Sequence, residues 1–177
     1  EVYTHLRSCD VQPENLITIM GPSKTESLSG FRLGVAFGTP KLIKRMECLQ
    51  AIVSLRAAGY NQAALDTWFQ EPLDWMENRI RKHESIRDEL LQTFRAANLH
   101  TASPQAGSYL FSQLPPLSVD LYTFVQLLRY QASVIVTPGS EFDPNCTDSI
   151  RLNFSQDHCL AVAAAQRIVK MVEIYKI

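Results

Sequence analysis

The sequence predicts an α/β segment, then a long helix, then a compact α+β region. Three observations carry that prediction. Two short apolar runs near the start, residues 16–20 and 33–37, stop at Gly21-Pro22 and at Gly38 with Pro40, as buried strands running into turns do. From Pro72 to about residue 97, apolar residues keep to one helical face: Leu73, Met76 and Ile80, then Ile86, Leu90, Leu91 and Phe94. After residue 100 the pattern becomes strand, helix, strand, strand, helix.

The elements follow in order. Between the first two strands lies a loop of small polar residues, 23–30. Thr39 is an N-cap candidate with Pro40 at the first helical position. Leu42, Ile43, Met46, Leu49 and Val53 then recur at helical spacing. Gly59 is expected to end or kink that helix, and a second helix is expected over about 61–69. In the long helix, the charges from Glu77 to Arg95 read as a solvated face. Beyond it, residues 109–113 form a strand and 119–130 a helix. Residues 134–137 form a strand stopped by Pro138-Gly139. Residues 150–154 alternate as a half-buried strand does. Asp157 is placed to cap a last helix over 158–175.

Composition excludes several function classes. An apolar content of 46% over 177 residues suffices for a sizeable core. A net charge of −1 gives no electrostatic footprint for nucleic acid or an anionic membrane, so neither is an expected partner. No uninterrupted apolar run is long enough to span a bilayer. Cys9, Cys48, Cys146 and Cys159 are scattered without a CxxC pair, which fits a reduced, cytoplasmic protein better than a disulfide framework or zinc site. His5, His83, His100 and His158 have no metal-ligand spacing, so no metal is expected. There is no Ser/His/Asp or Cys/His arrangement and no phosphate-binding G-x-x-x-x-G-K. The start at Glu1, without Met or a signal peptide, is expected to fall partway through a larger protein.

One segment carries chemistry. Gly21-Pro22-Ser23-Lys24 follows the first strand, and Gly30-Phe31-Arg32-Leu33-Gly34 leads into the second. A lysine amine can form a Schiff base if its pKa is lowered. A guanidinium eight residues on can bind a phosphate bidentately, and small loop residues let backbone approach a ligand. A lone lysine is ordinarily a solvated surface charge, so the weight lies on the whole pattern. That pattern resembles the cofactor-lysine signature of the class I/II (fold type I) PLP-dependent aminotransferases, S-x-S-K-x-x-x-L-x-G-x-R-x-G. Ser23, Lys24, Leu28, Gly30, Arg32 and Gly34 match in register. The resemblance implies that Lys24 forms the internal aldimine with pyridoxal 5'-phosphate and shuttles the substrate proton. It implies that Arg32, with Ser23, binds the phosphate. The family's serine three residues before the lysine is Gly21 here, so Ser23, Ser27 or a backbone N–H must substitute.

The resemblance extends to both ends of the chain. Glu1-Val2-Tyr3 is similar to the family's D-E-x-Y, which would set Tyr3 on the cofactor's ring hydroxyl and the pyridine-binding aspartate just upstream. Ala106-Gly107-Ser108-Tyr109-Leu110-Phe111 resembles the G-x-Y-x-F strand that opens the small domain. Pro138-Gly139-Ser140-Glu141-Phe142 resembles P-G-x-x-F, and residues 149–154 resemble the R-L-x-F segment. Arg151 would then grip the substrate α-carboxylate; the competing reading is an arginine on the solvent face of an edge strand. Arg56 would bind an acidic substrate side chain across a dimer interface, or else lie at a helix C-terminus favoured by the dipole.

By this resemblance the chain is the C-terminal part of the PLP-dependent transferase large domain (1–72), a connecting helix (73–99) and a small α+β C-terminal domain (100–177). The implied partners are amino-acid and 2-oxo-acid substrates, a missing N-terminal half and a second copy in a homodimer. The implied function is transamination. A PLP-dependent lyase, decarboxylase or oxidase, or a non-catalytic aminotransferase-like sensor, would use the same residues.

Overall fold

The computed structural model describes residues 4–177. Its contacts divide the chain into two compact units, residues 1–76 and 77–177.

In the first unit, β1 (Thr18–Met20) pairs antiparallel with β2 (Val35–Phe37), with Ile19 opposite Ala36. Both strands are shorter than their apolar runs. Gly21 ends β1 at a close approach: a Cβ there would lie 3.0 Å from the Leu33 carbonyl oxygen. Leu33 is buried in β2's approach, but Ile19 is 70% exposed. Helix α1 (Pro40–Val53) starts as expected, with Thr39 extended and Pro40 at the first position. The Thr39 carbonyl accepts from Ile43 N–H, but its hydroxyl makes no cap bond. Leu42, Ile43 and Met46 on its apolar face are half-buried, while Ile52 and Val53 are exposed.

Two expectations for the next stretch are corrected. Gly59 neither ends nor kinks α1; it begins α2 (Gly59–Ala63), after a linker in which Leu55 turns left-handed at φ 60°. The expected helix over 61–69 is that single turn followed by a 3-10 turn, Ala64–Thr67, where Thr67 Oγ1 donates to the Ala64 carbonyl. A Thr side chain that bonds the backbone three residues back favours the tighter turn over continued helix.

Helix α3 (Trp75–Ala96) buries Ile86, Leu90, Leu91 and Phe94 at helical spacing. It ends where Asn98 turns left-handed (φ 58°) and Leu99 N–H bonds the Phe94 carbonyl. The second unit's sheet has the order β3-β4-β6-β5, all antiparallel. Its strands are β3 (His100–Thr101), β4 (Tyr109–Gln113), β5 (Thr137–Pro138) and β6 (Ser149–Asn153). Strand β3 has only two residues, too few to carry a period. The strand expected at 134–137 is also corrected. Val134 and Val136 are buried and Ile135 exposed, as alternation requires, yet only Thr137 and Pro138 pair with β6.

Alternation along β4 and β6 turns Leu110, Ser112, Ile150 and Leu152 to the core. They join Phe94 of α3 with Phe124 and Leu128 of α4 (Leu121–Ala132) and Ala165 and Ile168 of α5 (His158–Tyr175). Ser112 is buried, but its hydroxyl bonds Thr101 Oγ1 at 2.9 Å, so no polar atom is stranded there. Asp157 caps α5 through Leu160 N–H, as expected. Helix α4 starts two residues later than expected because Asp120 is its cap, accepting from Thr123 N–H at 2.9 Å and Thr123 Oγ1 at 2.6 Å. Its far end is closed by Ser133 in the left-handed region and by Arg167, whose Nη1 donates to the Ala132 carbonyl at 2.7 Å.

The Asp120 cap yields a pH prediction. The Thr123 hydroxyl, and then the Thr123 N–H, hold its carboxyl below the usual aspartate value. Its contribution to stability is therefore complete above the unfolded pKa, about 4, and is lost as pH falls through the lower folded value. Asp120→Asn keeps a capping oxygen but removes the titration. It should flatten the acid limb of thermal stability below about pH 4 with little change at neutral pH. Circular-dichroism melts across pH check this; an unchanged acid limb would remove Asp120 from the account.

Candidate functional site

The loop between β1 and β2 is wound tightly by its own backbone. Glu26 N–H and Leu28 N–H both bond the Pro22 carbonyl, at 3.3 and 3.1 Å, and Ser27 turns left-handed at φ 60°. A 3-10 turn follows, Ser29–Phe31, and Arg32 caps it in the left-handed region at φ 51°. Its N–H bonds the Ser29 carbonyl at 3.2 Å and its Nη1 the same oxygen at 3.1 Å. Non-glycine residues rarely adopt this backbone, so two within six residues mark a tightly constrained loop.

Pro22 and Leu33 are buried at the ends of the loop. Lys24 and Arg32 are exposed, Ser23 is half-buried, and Thr25 Oγ1 bonds Glu26 Oε2. One loop thus presents a primary amine, a guanidinium and several hydroxyls. That donor set fits a phosphorylated aldehyde: the amine for the carbonyl, the guanidinium and hydroxyls for the phosphate. A serine at Gly21 would crowd the Leu33 carbonyl, so the hydroxyls here must come from elsewhere on the loop.

Arg151 lies in the second unit, and its surroundings correct one reading. It is not on an edge strand. Strand β6 runs between β4 and β5, and Arg151 stands opposite Phe111 on one side and Thr137 on the other. Its side chain shares the face turned away from the helices with Tyr109 and Phe111. Its Cζ lies 4.5 Å from the ring centroid of Tyr109 and 4.5 Å from that of Phe142. Among the described residues no carboxylate is within ion-pair distance of its guanidinium. The end of β6 is tied to α3. The His83 ring bonds the Arg79 carbonyl and Ser155 Oγ, both at 2.8 Å, and His158 Nε2 meets Glu89 at 2.7 Å. Both histidines are engaged in these bonds within the second unit, and among the described residues no three His, Cys, Asp or Glu side chains form a metal-binding group.

Arg56 does not occupy a helix C-terminus. Helix α1 ends at Val53, and Arg56 is exposed on the linker before α2. The dipole reading therefore lacks its helix. Tyr3 lies outside the described residues. Tyr109 and Phe142 stand in segments already conspicuous in the sequence, yet their stacking on Arg151 had no local signal.

Residues 3–168 match the family model for aminotransferase class I and II. The chain belongs to the class I and II aminotransferases. Over 99% of its length this aminotransferase chain is 62% identical to a crystallised aspartate aminotransferase from Rhodobacter sphaeroides 2.4.1, with a TM-score of 0.94 and 45% of that chain covered. It is 27% identical to the aspartate aminotransferase of Musicola paradisiaca, covering 99% of this chain and 47% of the relative. It is 24% identical to aromatic-amino-acid aminotransferase 2 of Thermococcus litoralis, covering 97% of this chain and 45% of the relative. The chain thus spans just under half the length of these relatives. The crystallised aromatic aminotransferase of Pyrococcus horikoshii, 22% identical with a TM-score of 0.85, shares the mixed α/β fold.

Proposed function

We propose that the full-length protein containing this chain transfers an amino group between L-aspartate and a 2-oxo acid, with pyridoxal phosphate held on the Lys24–Arg32 loop. The observation that carries the amino-acid part is Arg151, a guanidinium against two rings with no carboxylate among the described residues within ion-pair distance. A substrate α-carboxylate supplies that missing partner. Family membership supports the reaction class, and the Rhodobacter sphaeroides relative supports the choice of L-aspartate.

When bound, the cofactor supplies the electron sink that makes the substrate Cα–H acidic. Lys24 would hold the cofactor aldehyde through its amine, and the same amine would move the substrate Cα proton. Arg32 and Ser23 would bind the phosphate, and by the resemblance Tyr3, outside the described residues, would meet the ring hydroxyl. Arg56, on its exposed linker, is the candidate for the side-chain carboxylate of an acidic substrate, reached from the second copy of a homodimer. The same reading divides the chain at residues 72 and 99 into the end of the cofactor domain, a connecting helix and a small domain. Four free thiols fit the cytoplasm, and no described helix is long and apolar enough to cross a membrane.

The direct assay supplies full-length protein with pyridoxal phosphate, L-aspartate and 2-oxoglutarate. Oxaloacetate, detected by coupled reduction to malate, is the expected product. The 177-residue chain alone should yield none. Full-length protein that makes no oxaloacetate would sink the proposal.

A further inference from the structure

Phe142 has no role in the reading above, yet its placement is specific. The residue is 52% exposed, so it contributes little to the core. Its ring lies over Arg151 at 4.5 Å and meets the ring of Phe111 edge-on at 6.0 Å. Phe111 is the residue directly opposite Arg151 in the β4–β6 register. The loop that delivers Phe142 is folded by close packing at its base. A Cβ on Gly139 would lie 2.6 Å from Cys146 Sγ and 2.8 Å from the Cys146 carbonyl oxygen. Only glycine lets the two ends of the loop lie that close. A 3-10 turn (Gly139–Glu141) then brings Phe142 round, its N–H bonded to the Gly139 carbonyl at 2.9 Å. Asp143 Oδ1 accepts from Asn145 N–H at 2.8 Å and completes the return.

We propose that Phe142 is a positioning residue for substrate binding: with Tyr109 it fixes the Arg151 guanidinium before the carboxylate arrives. This rests on the reading of Arg151 as the α-carboxylate clamp. An arginine side chain is long, and a bidentate pair requires it to be ordered in one plane. The ring faces attract the cation and restrict its motion. They do so without hydrogen-bond acceptors, so the in-plane N–H donors stay available to a carboxylate. An acidic neighbour would also order the arginine, but it would compete for those donors.

The test uses full-length protein with bound cofactor and L-aspartate as probe. Phe142→Leu keeps an apolar contact and removes the ring. It should raise the L-aspartate Kd and KM roughly 3- to 30-fold, with a smaller change in kcat. Phe142→Tyr keeps a ring face and should stay near the parent value. In an Arg151→Ala background, Phe142→Leu should change affinity less than about 2-fold, because the cation it orders is gone. If Arg151→Ala weakens L-aspartate and Phe142→Leu does not, the positioning role is wrong and the clamp stands. If Arg151→Ala leaves affinity unchanged, the clamp itself is wrong. A Phe142→Leu effect that persists without Arg151, or that comes with a lowered Tm and lost cofactor absorbance, would assign Phe142 to packing and overturn the inference.

Discussion

Lys24→Ala in the full-length protein should lower the rate of amino transfer by about 10⁴-fold or more. Two functions would be lost at once. On the proposed reading, the amine that would hold the cofactor disappears, and so does the base that would move the Cα proton. General acid–base catalysis alone accounts for roughly 10²–10⁴. Lys24→Arg should be nearly as inactive, because a guanidinium stays protonated at any working pH and forms no Schiff base. The loop itself should survive either change. Its shape comes from the Pro22 carbonyl, the left-handed Ser27 and Arg32, and buried Leu33, while Lys24 is exposed. Borohydride reduction of the cofactor-loaded parent, followed by peptide mapping, locates the covalent attachment. A pyridoxyl group on any other lysine would remove Lys24 from this role.

Arg151→Ala should weaken L-aspartate binding by the equivalent of about 2–5 kcal/mol, while the absorbance of the bound cofactor stays as in the parent. The magnitude follows from losing a charge-assisted bidentate pair whose desolvated partner is left alone. The position favours the upper part of that range, because Arg151 is half-buried on an inner strand with two rings against it. Arg151→Lys should recover only part of the loss. An ammonium offers a point charge and cannot match both carboxylate oxygens in one plane. Titration of L-aspartate against the cofactor spectrum measures the change, and an unaltered affinity would count against the clamp.

The site was legible in the sequence to the extent that it is local. Lys24, Ser23 and Arg32 belong to one contiguous loop, and their spacing alone put an amine and a guanidinium on it. Arg151 stood out within residues 149–154, although its setting on an inner strand did not. The environments of both depend on distant partners. Tyr109 is 42 residues from Arg151 in sequence, and Phe142 comes from a loop whose base packs Gly139 against Cys146. Neither segment has a period or composition that names the other.

The same division runs through the fold. The sequence by itself determined α5 and the buried second half of α3, because a 3.6-residue apolar period and, for α5, a capping aspartate are local properties; Leu73 and Ile80, expected on the same face of α3, are exposed, and Leu73 precedes the helix. It also determined β4 and β6, whose alternation records one buried face. Tertiary structure alone decided which strands pair, and so set Phe111 opposite Arg151. It also decided that residues 134–136 stay outside the sheet's ladder and that two residues at 100–101 complete the sheet. Apolar periodicity reports that a face is buried, not what buries it. Pairing register and loop packing are set by contacts between segments far apart in the chain, and those contacts place two rings over the arginine.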